Sequence, residues 1–178
     1  MAGKRLSPAR ALALVGISAA TVECAKLVLA SLPNVEVVTL LLALYGYCFG
    51  ALGVMAAVVF VCIEPIVWGF GPWFVTYLIY WPLVALLFWL LRAVRVKNRW
   101  IITGIAVLLT AFFGVFSSLV DVGLFTGFFD KFFERFAVYY ARGAVFYAIE
   151  IGCNAVLFPV LFPFLSAKLE KIRARIYQ

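Results

Sequence analysis

The 178-residue chain contains no histidine. That absence removes imidazole acid–base catalysis, haem attachment through a ring nitrogen and most zinc chemistry in one step. Charge is scarce too: Asp, Glu, Lys and Arg make up 13% of residues, against about a quarter in a globular domain. The four cysteines, Cys24, Cys48, Cys62 and Cys153, are scattered through apolar runs with no C-x-x-C pair. Neither a zinc knuckle nor a disulfide framework fits that spacing, so buried apolar thiols are expected. There is no Walker loop, no metal-ligand spacing and no nucleophile with an evident base, which argues against catalysis.

Apolar residues occupy the space left over. Hydrophobic side chains make up 67% of the chain and the mean hydropathy is +1.13, far beyond what a soluble fold can bury. The class is therefore an all-α integral membrane protein, expected as a single domain over residues 1–178. The first apolar run, Ala9 to Leu32, is longer than the core of a signal peptide, so it is expected to stay as a helix.

Long apolar runs broken by Gly, Pro or charge predict six transmembrane helices, near Pro8–Leu32, Val35–Gly50, Leu52–Trp68, Pro72–Leu91, Trp100–Val120 and Gly143–Ala167. The second and third are short for a bilayer and share a tight, uncharged Gly50-Ala51-Leu52-Gly53 junction, as in a helical hairpin. With six spans, the basic clusters Lys4/Arg5/Arg10, Arg92/Arg95/Lys97/Arg99 and Lys168/Lys171/Arg173/Arg175 all fall on one side. The positive-inside rule makes that side, and both termini, cytoplasmic. Between the last two spans, phenylalanines from Phe125 to Phe136 alternate at helical spacing with Asp130, Lys131, Glu134 and Arg135. The pattern predicts a separate amphipathic helix in the outer interface, either an anchor or a lid.

Polar groups inside the runs point to a site. Asn34 and Glu36 follow Pro33 in the stretch ASLPNVEVVTLLLALYG, where they either cap the second helix or face a ligand. Glu23 and Lys26 stand three residues apart in span 1 and can pair. Glu64 and Trp68 end span 3, Tyr77 and Trp81 lie deep on the aromatic face of span 4, and Tyr147, Glu150 and Asn154 form a polar stripe on span 6. Arg142 joins the mixed charges of the outer side. Carboxylates, amides and aromatics thus gather in the outer half of the bundle, the composition of a small-molecule pocket. At the other end of span 1, Ala9, Ala13, Gly16 and Ala20 share one face, suited to close packing within the bundle or against another membrane subunit.

The six-span plan, the Ala9-xxx-Ala13 face, the run AKLVLASLPNVEVVTLLLALYGYCFG, the segment IEPIVWGFGPWFVTYLIYWP and NAVLFPVLFPFL ahead of a basic C-terminus resemble the S component of an energy-coupling factor transporter. The resemblance spans essentially the whole chain. It implies a substrate-binding subunit of an ABC-type importer in a bacterial plasma membrane, not an enzyme, which captures a water-soluble vitamin or precursor from outside. Cobalamin, another corrinoid and a heteroaromatic vitamin all stay open as substrates. The resemblance further implies a transmembrane coupling subunit that meets Ala9 and Ala13, with Gly16 and Ala20 extending the face, and two ATPase subunits that use the ATP. This chain itself would hold no cofactor, no metal and no nucleic acid, and would deliver its cargo by toppling in the lipid. Two rivals remain at this stage: a lipid-modifying transferase with Glu64 or Glu150 as base, and a structural membrane subunit without a ligand.

Overall fold

The computed structural model describes residues 6–32 and 35–177, all of whose regular structure is helical. Lys4, Arg5, Pro33 and Asn34 lie outside the described residues. The order is α1 (Pro8–Leu29), α2 (Val38–Phe49), α3 (Ala51–Trp68), α4 (Trp73–Ala93), α5 (Arg99–Val120) with a π-helical turn (Asp121–Phe125), and α6 (Phe132–Ile176). Five of these, all but α2, are long and apolar enough to cross a membrane.

Local chemistry sets the boundaries. Ser7 caps α1 by accepting from the Arg10 amide, and Pro8 occupies the first turn, where its missing N–H costs nothing. Asn98 caps α5 through the Trp100 amide. Gly50 separates α2 from α3 with φ of +62°, a conformation open to glycine but strained for most residues.

The short α2 is the centre of the bundle. Every residue from Val38 to Phe49 except Leu41 is buried, and α2 touches each of the other five helices. Gly46 makes its fit against α4 possible, because a Cβ there would collide with the Ala85 carbonyl. Twelve residues span only about 18 Å as helix. The non-helical stretch Val35–Val37 ahead of it carries the chain from the end of α1 into this helix.

Contacts between helix ends define two poles. At one, the Arg10 guanidinium donates to the Ile176 carbonyl, Arg92 pairs with Glu170 at 2.6 Å, and the Tyr47 hydroxyl donates to the Val96 carbonyl. The start of α1, the end of α2, the α4–α5 turn and the end of α6 therefore meet at this basic pole. The opposite pole gathers the end of α1, the start of α2 and the start of α4.

The amphipathic segment departs from the sequence expectation of a separate interfacial helix. From Phe132 it is the first part of α6, one continuous helix of 45 residues and about 68 Å. Rings explain the continuity: Phe132 stacks on Phe136, Phe136 on Tyr140, and Tyr140 on Tyr147, the last at 5.3 Å between centroids. Gly143, expected to begin the span, instead lies inside the helix and leaves the space that the Tyr147 ring fills. Arg135 fixes the loop before the helix by donating to the carbonyls of Thr126 and Gly127.

The cysteines also differ in part. Cys48 is buried and Cys153 half-buried, but Cys24 and Cys62 are exposed on the outside of the bundle. The close approach at Gly46 gives a test. Gly46→Leu is expected to lower the detergent-solubilised protein's unfolding temperature, with a loss of at least 1–3 kcal/mol, about the range of overpacked cores. Gly104→Ala, at an exposed position with nothing within 4 Å of the added methyl, is expected to leave it unchanged or raise it slightly.

Candidate functional site

A cavity of about 200 Å³ opens at the second pole. The end of α1 contributes Lys26 and Leu29, the α1–α2 connection Val35 and Glu36, α4 Tyr77, Tyr80 and Trp81, α5 Thr110 and Phe113, and α6 Glu150.

Glu36 organises one wall. Its Oε2 accepts from the Thr39 amide at 2.9 Å, capping α2, and its Oε1 accepts from Asn154 Nδ2 at 2.7 Å. The same amide nitrogen donates to Thr110 Oγ1 at 2.9 Å. Donor logic fixes this orientation: the Thr110 proton is committed to the Ala106 carbonyl, and a carboxylate oxygen only accepts, so both neighbours need the NH₂ end of Asn154. Asn154 Oδ1 is left without a partner, although the residue is fully buried. The network joins α2, α5 and α6. Sequence alone left Glu36 as either cap or cavity residue; in the structure it is both.

Aromatic rings form the opposite wall. Trp73, Tyr77 and Trp81 run edge to face along α4, with centroids 5.0 and 5.5 Å apart, and Trp81 stacks on Phe113 of α5 at 6.0 Å. Tyr80 packs against Phe113 at 4.8 Å. The Tyr80 hydroxyl and Trp81 Nε1 are buried without hydrogen-bond partners.

The floor toward α3 is ionic. Lys26 pairs with Glu64, not with Glu23 as its position in α1 suggests, because Glu64 faces α1 from the neighbouring helix. The Glu64 side chain is 1% exposed and that of Lys26 25%. The ammonium also lies 5.2 Å from the Trp68 ring centroid and 5.3 Å from that of Tyr77, close enough for cation–π attraction. Glu23 stands beside Glu64, and both its oxygens lack partners. Of two neighbouring carboxyls, the ammonium pairs with one.

Among the residues singled out from the sequence, Lys26, Glu36, Tyr77, Trp81 and Glu150 line the cavity, and Asn154 supports it from behind. Glu64 and Trp68 reach it only through Lys26. Tyr147 does not line it; its ring lies against Gly114 and its hydroxyl is 3.3 Å from Ser118, so it packs α6 on α5. Arg142 is exposed and lines a different surface groove with Asp130, Glu134 and Arg135. Sequence reasoning missed Thr39, Thr110 and Phe113, and placed Tyr80 on the aromatic face of span 4 without choosing it as a site residue. Thr110 and Phe113 carry no signal distinguishing them from the rest of an apolar helix, whereas Tyr80 sits one turn beyond Tyr77 and was readable as part of the same face.

On α1, Ala9, Ala13, Gly16 and Ala20 are all exposed, while Val15, Ser18, Ala19, Val22 and Glu23 face the bundle. Internal packing is not what the small-residue face serves. Comparison with protein-family models, curated proteins and solved structures finds no match to this chain.

The Lys26 site yields a thermodynamic test. Lys26→Met strands Glu64 and Glu23 without a cation and is expected to destabilise the protein by up to about 3 kcal/mol. Adding Glu64→Gln to it is expected to restore part of that loss, as read from thermal unfolding of the two variants in detergent. Additive losses would show that the pair is not coupled.

Proposed function

We propose that this chain is a substrate-binding membrane subunit of the energy-coupling factor type, which captures a small water-soluble molecule carrying an aromatic ring. The observation that carries this reading is the cavity, with ring faces on one wall and hydrogen-bonding groups on the other, at the pole away from the basic segments. Such a mixture suits a solute that is shielded from lipid while keeping a few directed polar contacts.

The topology belonging to this reading has six spans with both termini cytoplasmic. Its support is the convergence of the basic segments at one pole and the passage of α2, with its lead-in, from the cavity pole to that basic pole. By the positive-inside rule the cavity then opens to the outside of a bacterial plasma membrane. The exposed stripe Ala9, Ala13, Gly16 and Ala20 supplies the contact for a transmembrane coupling subunit, since small residues let helices approach closely in lipid. Two ATPases bound to that subunit would supply the energy, and the chain would topple to release a vitamin or vitamin precursor inward. In this role it binds its substrate without transforming it.

Mass spectrometry of small molecules released from the protein purified from its native membrane tests the reading. A ring-bearing, water-soluble compound is expected, present at near stoichiometry and depleted at least tenfold in a Tyr77→Ala/Trp81→Ala variant. A lipid product would instead favour a membrane transferase, and no bound compound a structural subunit. Ala13→Trp is expected to abolish co-purification with the coupling subunit while leaving the bound compound in place.

A further inference from the structure

From the charges around the cavity we infer that its ligand is cationic: a flat ring bearing a positively charged nitrogen group with N–H donors, an amidinium or aminated heterocycle in chemical type. This rests on the binding-subunit reading and narrows its substrate class.

Three ionisable side chains line the cavity, Glu36, Glu150 and Lys26. Lys26 is already engaged by Glu64, so its charge is offset within the protein. Among the described residues, neither Glu36 nor Glu150 has an ion-pair partner, and the ion pairs elsewhere involve Arg92 with Glu170 and Lys131 with Glu134. Arg142, the cation expected near the site from sequence, lines another groove. The groups of charged type that face the cavity without an ion-pair partner are therefore both carboxyls.

Unmet hydrogen-bonding capacity points the same way. Glu36 spends one interaction per oxygen on Thr39 and Asn154, which leaves lone pairs free on each. Glu150 makes no hydrogen bond to the described residues and lines the space directly. Against these stand two unpartnered donors on lining residues, Trp81 Nε1 and the Tyr80 hydroxyl, the latter able to accept as well. Acceptors outnumber donors, so the complementary guest brings donors. The faces of Tyr77, Trp81 and Phe113 attract a flat cation through their quadrupoles as well as by apolar contact. An anionic guest would face the same carboxyls, with no unpaired cation among the described lining residues to receive it.

Benzamidine, benzamide and benzoate test charge and donor content together, since they share a planar ring, differ by +1, 0 and −1, and carry four, two and no N–H donors. Binding to the detergent-purified full chain, stripped of endogenous small molecules, is read by saturation-transfer NMR and by thermal shift. Benzamidine is expected to bind at least tenfold more tightly than either analogue, and Glu150→Gln to narrow the ratio of benzamidine to benzamide affinity at least tenfold, with retained thermal unfolding showing that the variant is folded. Glu150 holds no structural hydrogen bond, so the variant folds on this account. Preference for benzoate, or equal binding of the three, overturns the cationic assignment while leaving a ring-binding cavity. The same division applies to the compound released from native membranes: a cation supports the assignment, an anion overturns it, and the absence of any bound compound together with no binding of the three probes overturns the binding-subunit reading itself.

Discussion

The carboxylate of Glu36 is the joint on which the cavity depends. Polar groups at this depth have little water to satisfy them, so each must find a partner or face a wet space. Glu36 answers the exposed amide at the start of α2, anchors the Asn154 side chain and, through Asn154, reaches Thr110. Three helices are thereby held in fixed relation by one side chain. Its backbone carbonyl also accepts from the Cys153 thiol, a second tie between the connection and α6. The shape of the aromatic wall opposite would mean little if this wall could drift.

The second constraint is length. A twelve-residue helix cannot span hydrocarbon unaided, and burial of nearly every residue of α2 means that it is sheltered by its neighbours instead of by lipid. Shortness places its amino end below the α1–α2 connection, where the cavity forms, and glycine at position 46 lets α4 come close enough to bring Tyr80 and Trp81 to that level. The hollow is a result of a helix that starts late.

Much of the architecture was legible in the residues. Apolar runs gave the helices, and the charge pattern anticipated that the basic segments would share a pole, which the Arg10–Ile176 and Arg92–Glu170 contacts place together. The stripe Tyr147, Glu150, Asn154 was visible because polar residues stand out on an apolar helix, and two of the three turn to the cavity region. Pairing across helices was not legible: Lys26 looked toward Glu23 within its own helix, while Glu64 competes from α3 with a geometry that no spacing rule encodes. Nor was the continuity of α6, because a glycine and a charged amphipathic stretch resemble a break until the ladder of stacked rings is seen. Thr110 and Phe113 became site residues only through the crossing of α5 with α4 and α6.

The unbroken α6 has a mechanical corollary. A rod of about 68 Å, pivoting at its midpoint by about 10°, carries each tip sideways by about 6 Å. Its amino-terminal third holds the loop through Arg135, its middle presents Glu150 and Asn154, and its carboxyl-terminal third meets Arg92 through Glu170. Pro159 and Pro163 lie between that middle and the basic tip and remove links of the hydrogen-bond ladder there, so the lever has a built-in place to bend between Glu170 and the mouth of the hollow.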